Sequence, residues 1–173
     1  MSETRIIQAT DDDMKEAIRE ASSLLRAGEI VALPTETVYG LAADAFNADA
    51  VAKVFAAKER PSFDPLIVHI ASRGDLKRVA VVPNEIAEDV SRLTEAFWPG
   101  PLTLILPKHP DVPDLVTSGL PTVAVRQSAH PVFRAINKEL GQPIAAPSAN
   151  RFGRISPTSA SAVMKELEGR IPL

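Results

Sequence analysis

The chain has 173 residues, 45% apolar and 24% charged, and its 19 basic and 22 acidic side chains sum to −3, which describes about one domain of ordinary globular composition. This excludes a disordered chain, a membrane span of ~18 uninterrupted apolar residues and a uniformly basic nucleic-acid binder. No cysteine is present, so disulfides, thiolate metal sites and cysteine nucleophiles are excluded together. That fits a reducing compartment, and with no basic-then-apolar leader in MSETRIIQATDDD the expected location is cytoplasmic.

Arg5–Ala9 reads as a short strand. Asp11–Asp13 then supply an N-cap and a negative first turn for a helix carrying Met14, Ile18, Ala21 and Leu25 at helical spacing, stopped by Gly28. Ile30–Leu33, ended by Pro34, reads as a strand buried on both faces. Asn47 caps a helix with Val51, Val54 and Phe55 on one side, ended by Pro61. Pro65–Ile70 is a further strand, and Ile86, Val90, Leu93 and Phe97 mark a helix closed by Pro99-Gly100. Lys108–Pro121, rich in Pro, Asp and Ser, reads as a surface loop, placed between strands at Leu102–Leu106 and Val123–Val125. Phe133, Ile136 and Leu140 mark a helix ended by Gly141. Ile144–Ala146 is a strand, and Ser156-Pro157-Thr158 opens a last helix with Val163, Met164 and Leu167. The alternation predicts an α/β fold with a twisted, largely parallel or mixed sheet and flanking helices. One domain over 1–173 is expected. Its end, Glu166–Leu173, reads as a helix, a stop and the start of a new strand, as in a piece of a longer chain.

Neither G-x-x-x-x-G-K-[ST] nor G-x-G-x-x-G is present, and no G-x-S-x-G elbow appears. His69, His109 and His130 form no metal-binding pair. A nucleotide would therefore be held by side chains and isolated backbone amides. In open α/β sheets ligands bind beyond the carboxyl ends of strands, so the polar residues after each apolar run carry the functional reading. Thr35-Glu36-Thr37-Val38-Tyr39-Gly40 offers two hydroxyls behind Pro34, and equally a Thr-rich turn capping a helix. Lys58 and Arg60 form a cation pair suited to phosphate, or simply complement a helix C-terminus. His69 ends a strand, as a ligand group or a structural hydrogen-bonder. Arg126, just past an apolar run, requires an anion, either an internal carboxylate or a ligand. Ala146-Pro147-Ser148-Ala149-Asn150, with Arg151, Arg154 and Ser156 beyond, is an anion-binding segment or a capped turn. A sheet gathers such ends in one crevice.

In order along residues 30–160, the segments PTETVYGL (34–41), KERP (58–61), PLIVH (65–69), WPGPLT (98–103), VAVR (123–126), APSAN (146–150) and SPT (156–158) resemble the YrdC-like threonylcarbamoyl-AMP synthase family. The resemblance implies a nucleotidyltransferase that makes L-threonylcarbamoyladenylate and pyrophosphate from L-threonine, bicarbonate and ATP. Downstream proteins then use the product to modify tRNA. It also implies a concave basic cleft, with tRNA or double-stranded RNA binding in some members and no membrane. Carried over, Thr35, His69 and Arg126 correspond to threonine contacts, and Lys58, Arg60, Thr122, Ser148, Asn150 and Ser156 to nucleotide contacts. No covalent catalytic residue and no protein metal ligand is implied, with Mg²⁺ held mainly by the ATP phosphates. Asp64 departs from the family pattern, since a carboxylate there repels phosphate unless it faces Mg²⁺ or a cation.

Two rival readings stand beside this one. The first is a non-catalytic RNA-binding module using Lys58, Arg60, Arg126, Arg134, Arg151 and Arg154; 5% aromatic content disfavours stacking on single strands. The second is a carbamoyl-adenylate enzyme of hydrogenase maturation. It is disfavoured by the absence of zinc-finger cysteines and of room for companion domains.

Overall fold

The computed structural model describes residues 3–10 and 13–173. Helix α1 (Met14–Arg26) follows Asp13, which sits at its N-cap without a side-chain cap bond; Asp11 and Asp12 of the expected acidic cap lie outside the described residues. The Arg5–Ala9 segment forms no strand. Its backbone meets a neighbour at Arg5 N, which donates to Pro172 O at 3.0 Å, and one such bond does not make a ladder.

Strand β1 (Val31–Pro34) turns back at once into β2 (Tyr39–Asp44), and the two pair antiparallel. Sequence reasoning missed β2, because YGLAAD lacks the β-branched residues that announce a strand. Helix α2 (Ala48–Lys58) starts where expected, with Asn47 Oδ1 accepting from Ala50 N at 3.1 Å. It ends at Glu59, in the left-handed region at φ 52°. Next come β3 (Ile67–His69), the one-turn helix α3 (Leu76–Val79), α4 (Ala87–Phe97) and β4 (Leu104–Pro107). The expected loop 108–121 is a packed segment. It contains the short helix α5 (Asp114–Thr117), buries Val112, Val116 and Thr117, and gives Val116 O to Leu66 N at 2.8 Å. Strand β5 (Thr122–Arg126), helix α6 (Pro131–Leu140), strand β6 (Ile144–Ala145) and helix α7 (Ala160–Leu167) complete the order. Gly141 ends α6 at φ 71°, a conformation open to glycine at little cost.

Helix α7 begins later than the Ser156-Pro157-Thr158 signal. Tyr39 N donates to Pro157 O at 2.8 Å, which fixes that segment against β2. Capping passes to Ser159, whose Oγ accepts from Ala162 N at 3.2 Å. The expected strand start at the end of the chain is an irregular segment with Ala32 N donating to Leu173 O at 2.9 Å.

The sheet order is β1-β2-β6-β3-β5-β4. It is the mixed α/β architecture expected, with its parallel part confined to β3–β5; the other neighbours run antiparallel. The four-residue return between β1 and β2 allows only an antiparallel pair, since a parallel one needs a long crossover.

One face of the sheet presents Leu41, Ala43, Val68, Val123, Val125 and Ala145 to α2, α4 and α5. The opposite face is covered only in part. Helices α1 and α6 pack over Val31, Leu33, Ala42 and Ile144, and Phe133 of α6 reaches His69 with ring centroids 4.7 Å apart. The same face of β3, β5 and β4 stays open. By register it carries Ile67, Ala124 and Ile105 side by side, and Ile105 is 71% exposed. A cleft opens on this partly covered face at Ile67 and His69.

Candidate ligand cleft at the strand ends

A cleft of about 300 Å³ lies at the ends of β1, β3 and β5. Thr35, Arg60, His69, Arg126 and Ser148, five of the nine residues singled out from the sequence, line it. Pro34 stops β1, and the next four residues curl around the Thr35 hydroxyl. Its Oγ1 donates to Val38 O at 2.6 Å and accepts from Thr37 N and Val38 N at 3.1 and 3.2 Å. Thr35 therefore shapes the wall with its donor already used. Gly40 lets that wall close, because a Cβ there would stand 3.2 Å from the Ala146 Cβ.

His69 and Arg126 lie directly opposite one another in the parallel pair β3–β5. His69 is fully buried against Phe133, and its Nδ1 has no partner. Burial and then the Arg126 charge push its pKa down to about 3, against smaller upward pulls from Glu36 and the Ala146 backbone. It is neutral at physiological pH and supplies shape and polarity rather than a proton. Arg126 requires an anion and has an internal one. Glu36 Oε1 accepts from its Nη2 at 2.8 Å and its Nε at 3.3 Å. Glu36 was not singled out as a site residue; the arginine ending β5, in need of an anion, and the acid in the Thr-rich turn were its signals. Burial by itself would raise the Glu36 pKa. Hydrogen bonds from Ser128, Arg126 and its own backbone, with the Arg126 charge, outweigh that and hold it at about 2.

Arg60 reaches the cleft from the loop after α2. It donates through Nε to Asp64 O at 3.1 Å and through Nη2 to Pro65 O at 3.0 Å, and it pairs with the Asp64 carboxylate at 2.8 Å. Asp64 thus faces a cation, as its position required. Both cleft arginines are internally paired, so the cleft offers directed N–H groups rather than a surplus of positive charge.

The other four residues stand apart. Lys58 is not a free cation. It is buried, and its ammonium donates to Ser148 O and Asn150 O, while its own carbonyl accepts from Phe152 N at 2.8 Å. Burial, then the Arg60 charge, lower its pKa to about 8, with Asp64 opposing. Asn150 is buried as well and donates from Nδ2 to Arg151 O and Arg154 O, both at 2.8 Å. Lys58 thus holds the backbone on which Ser148 rides, and Asn150 ties the turn 151–154 that follows it. Thr122 starts β5 on the same sheet face as Arg126, about 13 Å along the strand, and Ser156 is exposed outside the cleft. The basic residues of the RNA-binding reading do not form one face. Lys58 is buried, Arg151 pairs with Glu166 at 3.3 Å, and Arg134 lines a separate cleft with Arg78 and Lys138.

The Glu36 pairing makes acid stability a test of this geometry. Glu36 holds its proton at about 2 when folded against an ordinary 4.5. As pH falls the unfolded chain takes up that proton first. The stability it contributes is complete above about pH 4.5 and is lost as pH falls towards 2. Melting temperatures of wild type and Glu36→Gln, followed by circular dichroism from pH 5 to 2, should therefore converge as pH falls. Parallel curves would place the carboxylate outside such a pair.

Fold and cleft together define a mixed α/β domain with an open cleft lined by two arginines. The Sua5_yciO_yrdC family model, described as Telomere recombination, matches residues 23–173, and the chain belongs to that family. It is 52% identical over 155 residues to the threonylcarbamoyl-AMP synthase of Bacillus subtilis (strain 168), covering 89% of this chain and 44% of that protein. It is 49% identical to that of Pyrococcus abyssi, with the same coverage. A crystal structure of P. abyssi Sua5 complexed with L-threonine superposes with a TM-score of 0.86 at 45% identity, over 99% of this chain and 48% of the other. The chain therefore spans somewhat under half the length of these relatives. No helix among the described residues is long and apolar enough to cross a membrane.

Proposed function

We propose that this domain forms L-threonylcarbamoyladenylate and pyrophosphate from L-threonine, bicarbonate and ATP, as a cytoplasmic nucleotidyltransferase acting ahead of tRNA threonylcarbamoylation. The observation that carries the reading is Arg126 at the cleft beside Thr35 and His69, in a chain 45% identical to a Sua5 crystallised with L-threonine. Arg126 receives the threonine carboxylate. Thr35 and neutral His69 shape the pocket for the rest of the amino acid. Arg60 and Ser148 face the nucleotide, Lys58 holds the Ser148 backbone, Asn150 ties the turn that follows it, and Thr122 and Ser156 lie at the outer reach of the nucleotide. ATP arrives with Mg²⁺ on its phosphates, which need few protein ligands.

The chemistry needs no covalent protein intermediate. Bicarbonate releases CO₂ and hydroxide. The threonine amine adds to CO₂, and the proton it loses joins the hydroxide as water. A carbamate oxygen then attacks the α-phosphorus, its bond to the bridging oxygen breaks, and pyrophosphate leaves. Holding the reactants together contributes up to about 7–11 kcal/mol, and guanidinium N–H groups stabilise the charge that develops on phosphorus. The test is pyrophosphate release from ATP with threonine and bicarbonate each present or omitted. Release that requires both is the expected result. Release without threonine, or ATP binding with no release under any condition, would overturn the assignment for this domain.

A further inference from the structure

A guanidinium has five N–H donors, and three of those of Arg126 are committed. Nε and one Nη2 hydrogen go to Glu36 Oε1, and the second Nη2 hydrogen goes to Thr37 Oγ1 at 3.1 Å. Nη1 has no partner among the described residues, and it is not among the orphaned atoms sealed from solvent. Glu36 is tied at its other oxygen too. Oε2 accepts from Ser128 Oγ, which accepts from His130 N at 3.2 Å. The carboxylate is thus fixed from two sides, and the guanidinium is held by one edge with its remaining nitrogen open.

We infer that Glu36 is a positioning residue for amino-acid recognition: it grips Arg126 by the Nε–Nη2 edge, turns Nη1 to the carboxylate of the amino-acid substrate, and stays in place when that substrate binds. The inference rests on the reading that Arg126 receives the carboxylate. Two physical points favour retention over exchange. Displacing Glu36 would break its bonds to Arg126 and Ser128 together and return a half-buried carboxylate to water, whereas Nη1 is already available. Glu36 also cancels the Arg126 charge at its source. A bare guanidinium takes phosphate as readily as carboxylate; with its Nε–Nη2 edge occupied by Glu36, Arg126 has one nitrogen left to direct at a single carboxylate. The pair therefore keeps the amino-acid end of the cleft for a ligand bound through one directed carboxylate.

The test is steady-state kinetics of pyrophosphate release, with threonine and ATP varied separately, for wild type, Glu36→Ala, Glu36→Gln and Arg126→Ala. Glu36→Ala should raise the threonine KM about tenfold or more, the size of one lost charge-assisted contact, with kcat and the ATP KM within about twofold of wild type on that scale. Glu36→Gln keeps an oxygen for Nε and Nη2 and should recover most of the loss. It also keeps the test open if the alanine variant does not fold. A lower threonine KM in either variant would make Glu36 a competitor for Arg126 and overturn the inference. Equal rises for threonine and ATP, with no recovery in Glu36→Gln, would also overturn it, as general disruption of the cleft. A threonine KM left unchanged by Arg126→Ala would instead overturn the reading beneath it.

Discussion

Arg126→Ala is expected to raise the threonine KM by roughly 10- to 100-fold, since a hydrogen bond to a charged group is worth about 1.5–3 kcal/mol. It should also lower stability, because Glu36 is left without its cation. Breaking one side of a buried pair costs about 3–5 kcal/mol. The Arg126 and Glu36 side chains keep 9% and 18% exposure, which places the loss near the lower end of that range. The two effects separate in the double variant Arg126→Ala/Glu36→Gln, which removes the orphaned charge. Urea unfolding should show much of the stability regained, while threonine use stays lost. Arg126→Lys should not rescue threonine use, since an ammonium cannot hold Glu36 by one edge and offer a second, directed nitrogen to substrate. Recovery of threonine use in the double variant would remove Arg126 from the carboxylate site.

The second large effect belongs to Lys58. Lys58→Ala leaves Ser148 O and Asn150 O without their donor, at about 1–3 kcal/mol for each buried group, and opens a cavity. Stability should fall by about 3–5 kcal/mol on those combined grounds. ATP use should fall with it as the Ser148 segment loosens, more than threonine use does. Lys58→Met restores most of the volume but neither donor, so it should recover only part of the loss. The sign of the pH dependence follows from burial. The folded-state pKa of about 8 lies below the ordinary 10.5, so between these values the unfolded chain binds the proton and the folded chain does not. The cost of burying the charge is present below pH 8 and is relieved as pH rises towards 10.5. The stability advantage of wild type over Lys58→Met should widen across that window in thermal melts; a constant difference would show an ammonium no harder to bury than in water.

Punctuation in the chain was legible where one residue settles local geometry. Asn47 starts α2 and Gly141 ends α6, each for a reason confined to a few neighbouring atoms. Strand β2 was not legible, because YGLAAD becomes a strand only when β1 and β6 lie on either side of it. The late start of α7 has the same origin in the bond from Tyr39 to Pro157 O. In the site, Arg126 announced its need for an anion, but a lone arginine cannot say which anion. That choice was made by Glu36, far away in sequence. Lys58 misled for a related reason. A lysine in the last turn of a helix reads as a surface cation, and only the packing of 148–150 over it turns its ammonium inward.

Those separations have a consequence for how the protein acquires its cleft. Arg126 meets Glu36, and Lys58 meets Ser148, across 90 residues in each case, and Ser128 meets Glu36 across 92. Contacts at such range must overcome loop-closure entropy before they contribute anything, and they form late and slowly. Helices α1, α2 and α6 can gain their turns from local sequence while the cleft is still absent. One half of the chain carries Thr35, Glu36, Arg60 and His69 and the other Arg126, Ser128 and Ser148, so neither half alone holds the paired cleft. The cleft is therefore a property of the finished topology, complete only when the last distant strands have met.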